Sequence, residues 1–139
     1  MGEEATERDE WSRRVRDARV GHLGTLTLAG RPHVVVCCFA LVDDVLYSAV
    51  DRKPKSTRAL RRLDNIRANP AATLLVDHYD DDWTQLWWVR LDGTARVLND
   101  GDERDRALGA LASKYPQYVV APPDGPVIAL DITHWRTWP

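Results

Sequence analysis

Two turn signals, lying close together, constrain this chain more than any other feature. Val20 to Leu28 alternates and carries Gly21 and Gly24, Ala29-Gly30-Arg31-Pro32 reads as a turn, and His33 to Val42 is a mostly β-branched apolar run. Asp43-Asp44 then leads directly into Val45 to Val50. Connections this short join antiparallel neighbours, because a crossover to a parallel strand takes about a dozen residues.

The rest of the chain extends the same plan. Thr6 to Ala18 predicts an amphipathic helix, with Thr6 as N-cap and Trp11, Val15 and Ala18 on one side. A second helix is expected from about Ser56 to Ala68, ended by Asn69-Pro70. Ala71 to Val76 reads as a buried strand, His78 to Asp82 as an acidic loop, and Trp83 to Leu98 as a long strand with a bend or bulge at Asp92-Gly93. Asp102 to Ser113 is a third helix, a Pro-rich stretch follows, and Val127 to Thr133 closes the sheet. About six strands and three helices predict an α+β domain, a small and mostly antiparallel β-barrel with helices packed outside. With 139 residues and 44% hydrophobic content, one domain over residues 1–139 is expected, its first five residues disordered. In the long strand Trp87, Val89 and Leu91 face one way and Trp88 and Arg90 the other, so both faces need cover and a homodimer is expected.

Charge is distributed unevenly. Seven of the 19 Lys and Arg residues fall within Arg52 to Arg67, although the chain's formal charge is -2. That surplus sits where a strand gives way to a helix, a place that offers free backbone N–H groups and a positive dipole end, and so suits a phosphate. Lys53 and Lys55 flank Pro54, and the Ser56 and Thr57 hydroxyls can donate to an anionic oxygen. Near-neutral charge argues against a nucleic-acid partner. Cys37 and Cys38 are adjacent and point to opposite sides of a strand, and Met1 to Arg19 is highly charged, so a reduced cytoplasmic protein without a signal peptide is expected. No apolar run reaches the roughly 18 residues of a membrane span.

Six tryptophans can serve the core, an interface or a planar heterocycle. The four histidines are scattered and the acidic loop lacks the pattern of a calcium site, so no metal is expected. No Gly-x-Gly-x-x-Gly, Walker A, Gly-x-Ser-x-Gly or His-Glu-x-x-His motif occurs, and no catalytic residue is assigned. His33, beside the first turn, is a candidate proton donor or a structural residue.

Taken in order, Gly24-Thr25-Leu26, Gly30-Arg31-Pro32-His33-Val34-Val35, Lys53-Pro54-Lys55-Ser56-Thr57-Arg58, Asn69-Pro70, Leu74-Leu75-Val76-Asp77 and Trp87-Trp88-Val89-Arg90-Leu91-Asp92-Gly93 form a pattern. It resembles the split β-barrel flavin-binding family that includes pyridoxamine 5′-phosphate oxidase, and within it the actinobacterial branch that uses the deazaflavin F420. The resemblance implies a homodimer with cofactor sites at the interface. Lys53 and Lys55 would hold the cofactor phosphate, with Ser56, Thr57 or Arg58 assisting, and the ring would lie near Val34 and Val36. Trp87 or Trp88 would wall the pocket, together with Trp135 or Arg136 of the partner subunit. The implied reaction is hydride transfer between F420 and an unsaturated or conjugated small molecule. FMN is the alternative cofactor, and a non-catalytic flavin-binding module the alternative role. The vitamin B6 oxidases end in an Arg-x-His clamp, whereas this chain ends Thr133-His134-Trp135-Arg136-Thr137-Trp138-Pro139, a departure that counts against pyridoxamine phosphate oxidation.

Overall fold

The computed structural model describes residues 3–50 and 57–139, and the side chains of residues 7–50 and 61–139. Seven strands form one antiparallel sheet: β1 (Gly21–Leu26), β2 (Pro32–Cys37), β3 (Ala40–Val42), β4 (Val45–Ala49), β5 (Ala71–His78), β6 (Trp87–Leu98) and β7 (Val127–Trp138), in the order β2-β1-β5-β6-β7-β4-β3. The helices are α1 (Glu3–Asp17), α2 (Thr57–Ala68), α3 (Asp102–Lys114) and the single turn α4 (Gln117–Val120). The architecture is α+β, as the turn spacing predicts.

The strand count exceeds the expected six because the run from His33 to Val42 is two strands. Cys38 and Phe39 break it, and the Phe39 N–H leaves the ladder to donate to the Tyr115 hydroxyl at 3.1 Å. The turn between β3 and β4 holds Asp43 at φ 53°, a left-handed conformation that aspartate tolerates better than most side chains. Three boundaries also shift. Helix α1 begins at Glu3 instead of Thr6, β7 continues past Thr133 to Trp138, and the long strand begins at Trp87 instead of Trp83. Residues Trp83–Gln85 form a 3-10 turn because Asp82 caps it, accepting from the Thr84 N–H at 3.1 Å and the Thr84 hydroxyl at 2.7 Å.

The sheet curls around one core. Leu23, Cys37, Leu41, Leu46, Leu74, Leu91 and Leu130, one from each strand, belong to a single buried cluster, which a flat sheet of this order could not assemble. Val15 of α1 and Leu63 and Ile66 of α2 enter the same cluster, so these helices cover its open sides. Helix α3 lies outside, where Ala107 and Leu111 pack over Tyr47, Ala129 and Ala40. Its C-terminal end is fastened by Tyr115, whose hydroxyl donates to the Arg19 carbonyl at 2.8 Å, and by Lys114, whose Nζ donates to the Phe39 carbonyl at 2.9 Å. Among the described residues, no helix lies on the remaining outer surface, over β2, β1, β5, β6 and part of β7.

No helix among the described residues is long and apolar enough to cross a membrane.

Candidate functional site

That uncovered surface is the candidate site. Strand alternation sends Val35 and Cys37 toward the core and leaves Val34 and Val36 outside, 65% and 61% exposed. Two large β-branched side chains left to water on one strand mark a surface built for contact. Pairing carries this face across the sheet: Val34 lies opposite Gly24, Gly24 opposite Thr73, and Thr73 opposite Asp92. An open groove of about 430 Å³ runs over Gly24, Thr73 and Asp92 of this row, lined also by Leu26, Gly93 and Thr133.

Gly24 gives the groove its floor. A Cβ built there would meet only the Thr73 carbonyl oxygen, at 3.7 Å, so the chain's own packing does not require glycine. What glycine provides is access to the backbone from outside. At the other side of the groove Asp92 is fixed by three donors: Thr73 Oγ1 at 2.8 Å, Arg90 Nε at 3.1 Å and Arg90 Nη2 at 3.4 Å. The rim is a β-bulge. Asp92 pairs with His134 and Gly93 with Ile132, so Thr133 is left over, and its hydroxyl donates to the Asp92 carbonyl at 3.2 Å.

The residues singled out from the sequence divide between the two faces. Val34, Val36, Trp88 and Arg136 share the open outer face by register, with Trp88 opposite Trp138 and Arg90 opposite Arg136. Trp87 and Trp135 point the other way, pack against the core and meet α1. The Arg14 guanidinium lies 5.2 Å from the Trp87 ring centroid and 4.8 Å from that of Trp11, and Arg8 lies 4.0 Å from Trp135. These two tryptophans lie on the core side of the curled sheet, against α1. His33 also points away from Val34 and Val36, with its Nδ1 shut off from solvent and unpartnered.

Lys53, Lys55 and Ser56 lie outside the described residues. Thr57 and Arg58 open α2, but their side chains are outside the description too. Helix α2 packs against β1 and β6, and Asn65 anchors it by donating from Nδ2 to Thr25 Oγ1 at 3.1 Å in a buried contact. Its N-terminus follows the segment after β4. Thr73 and Asp92 escape a sequence reading because neither belongs to a motif; only the register of β5 against β6 brings them together. Among the described residues no group of three or more His, Cys, Asp or Glu side chains is placed to hold a metal ion.

A family model described as pyridoxamine 5′-phosphate oxidase matches residues 8–139. The chain belongs to the pyridoxamine 5′-phosphate oxidase family. Solved structures share its fold at low identity. A conserved hypothetical protein from Mycobacterium tuberculosis superposes with a TM-score of 0.77 at 19% identity, covering 99% of this chain and 85% of that one. An FAD-binding protein from Mesorhizobium loti gives 0.69 at 22%, covering 92% and 91%. The heme storage protein of Vibrio cholerae gives 0.72 at 13%, covering 96% and 92%. No curated protein matches in sequence. The pyridoxamine 5′-phosphate oxidase fold therefore accommodates flavin-binding and heme-storing proteins alike, and the occupant of this chain's groove has to be argued from its own residues.

Those residues fit a flat, partly apolar ring system. The groove has a side-chain-free floor at Gly24, its polar groups Thr73, Asp92 and Thr133 are gathered at one side, and the exposed Val34 lies opposite Gly24 on the neighbouring strand.

Proposed function

We propose that this family member is an oxidoreductase that binds F420 on its open sheet face, within a homodimer, and transfers a hydride between the deazaflavin and an unsaturated or conjugated small organic molecule. One observation carries the reading: Gly24 leaves backbone open at the floor of the groove, and the exposed Val34 lies opposite it on the neighbouring strand. When bound, the cofactor supplies the redox chemistry, so a protein nucleophile or metal is not needed.

The chain's residues bind, orient and exclude water. Val34 and Val36 cover one side of the ring, and Gly24 lets it approach the backbone. Lys53 and Lys55, with Ser56, Thr57 or Arg58, take the phosphate through charge-assisted bonds. Trp88, on the same face, walls the site, and a second copy docked on this face completes its cover. The Thr73 and Arg90 bonds hold Asp92 fixed at the rim, so that the groove keeps its shape when loaded. FMN is the alternative occupant, supported by the FAD-binding protein of the same fold.

Titration of the purified protein with F420, FMN and hemin tests the proposal. Saturable binding of F420, with a changed fluorescence and one equivalent per chain, is the expected result. Saturation by FMN alone replaces the cofactor while keeping the enzyme class. Failure of both, with hemin giving an intense bound-heme absorbance band, overturns the proposal in favour of heme binding.

A further inference from the structure

Register sets Arg90 of β6 directly opposite Arg136 of β7 on the open face. Opposed like charges on a sheet repel, and nothing in strand pairing requires them. One carboxylate answers Arg90 alone. Asp92 accepts from Arg90 Nε at 3.1 Å and Nη2 at 3.4 Å, and also from Thr73. Asp77, the other acid on that face, stands 3.5 Å from His22 Nε2. Arg136 is exposed and makes no ion pair among the described residues. In register, Leu75 faces Arg90 on β5 and His134 faces Asp92 on β7, and in the row beyond Trp88 lies between Asp77 on β5 and Trp138 on β7. Asp92 therefore answers Arg90, while the Arg136 guanidinium beside it is left without an acid among the described residues, next to an aromatic pair and the groove.

We propose that Arg90 and Arg136 form an anion subsite that receives a carboxylate of the molecule bound on the open face. A guanidinium presents parallel N–H groups that match a carboxylate's two oxygens, and two of them on neighbouring strands can bracket one such group. The bound anion would also relieve the cross-strand repulsion. The subsite requires that this face bind a ligand, and is otherwise independent of which cofactor does so. The carboxylate has two sources, an acidic substrate or the carboxylate-bearing tail of the deazaflavin.

The test follows the arginine Nε–H resonances of the whole protein during a citrate titration. Arg90 and Arg136 should shift together and saturate. Arg136→Gln should remove the Arg90 shift, while Arg136→Lys, which keeps the charge and loses the fork, should bind citrate more weakly. Unmoved resonances, or citrate binding by Arg136→Gln equal to the parent, overturn the subsite. Affinities for riboflavin, FMN and F420 then assign the source. If Arg136→Gln weakens F420 by about tenfold and spares the other two, the cofactor tail supplies the carboxylate. If all three are spared while citrate binding is lost, the substrate supplies it. Equal weakening of FMN and F420 contradicts a carboxylate subsite and makes it a phosphate contact. Citrate binding by a protein that takes up neither cofactor leaves the subsite standing and removes the oxidoreductase reading.

Discussion

A Cβ placed on Gly93 would lie 2.0 Å from the carbonyl oxygen of Asp131. The strands β6 and β7 approach this closely where Thr133 is squeezed out of register, so the bulge at the groove's rim depends on a hydrogen atom in the place of a side chain. Because the obstructing atom is backbone, no rotamer change relieves the clash. Gly93→Ala should cost about 3 kcal/mol or more, at the upper end for a single overpacking substitution, read as a lowered urea midpoint. A cost below about 1 kcal/mol would mean the bulge can relax.

A polar network should make stability fall in acid. Arg96 donates to Glu103 with Nη1 and Nη2, both at 2.8 Å, and to Asp131 with Nε at 2.6 Å and Nη2 at 2.9 Å, while the Tyr47 hydroxyl donates to Glu103 at 2.8 Å. These bonds tie α3 to three strands. The bonds from Arg96, then that from Tyr47, hold the Glu103 carboxyl down to about 2 from an ordinary 4.5. A carboxyl with a depressed folded pKa stabilises above its unfolded value and loses that contribution as pH falls through the folded one. Unfolding free energy should therefore drop between about pH 4.5 and pH 2. Glu103→Gln should flatten that part of the profile; an unchanged slope would show that other carboxyls account for it.

Much of this fold is legible in the chain because short turns and strict alternation act locally. Asp92-Gly93 announces a bulge, since glycine inside an apolar strand has little other use, and alternation assigns Trp87 and Trp88 to opposite faces. What local signals do not contain is the face each neighbour covers. Trp87 and Trp135 meet α1 through Arg14 and Arg8, a contact made by the curl of the sheet and not by spacing. The capped turn at Trp83 is a case of side-chain chemistry overriding strand propensity, with Asp82 and Thr84 supplying bonds that an extended chain would forgo. The groove was the least visible part, because Gly24, Thr73 and Asp92 come from three strands and only register aligns them.

Gly24 separates binding from folding. A side chain there finds open space, and valine suits a strand better than glycine, so Gly24→Val should leave stability within about 1 kcal/mol of the parent. It should fill the groove floor and weaken cofactor binding by about tenfold or more, measured by fluorescence titration. Undiminished affinity would place the cofactor elsewhere.

The phosphate contacts make a separate prediction. Lys53→Ala and Lys55→Ala should each weaken FMN or F420 by about 1.5 to 3 kcal/mol and leave riboflavin, which lacks the phosphate, unaffected. Equal losses for riboflavin would show that the lysines act on something other than phosphate.

The most direct test of the open face as the cofactor site is an NMR titration that follows the tryptophan indole N–H signals as F420 or FMN is added. Trp88 shares a face with Val34, Val36 and Gly24, whereas Trp11, Trp87 and Trp135 lie on the core side of the sheet beside α1. The account predicts large saturable shifts for Trp88 and for the Gly24, Val34 and Val36 amides, with Trp11 and Trp87 unmoved. Shifts confined to Trp11, Trp87 and Trp135 would put the cofactor beside α1 and contradict it.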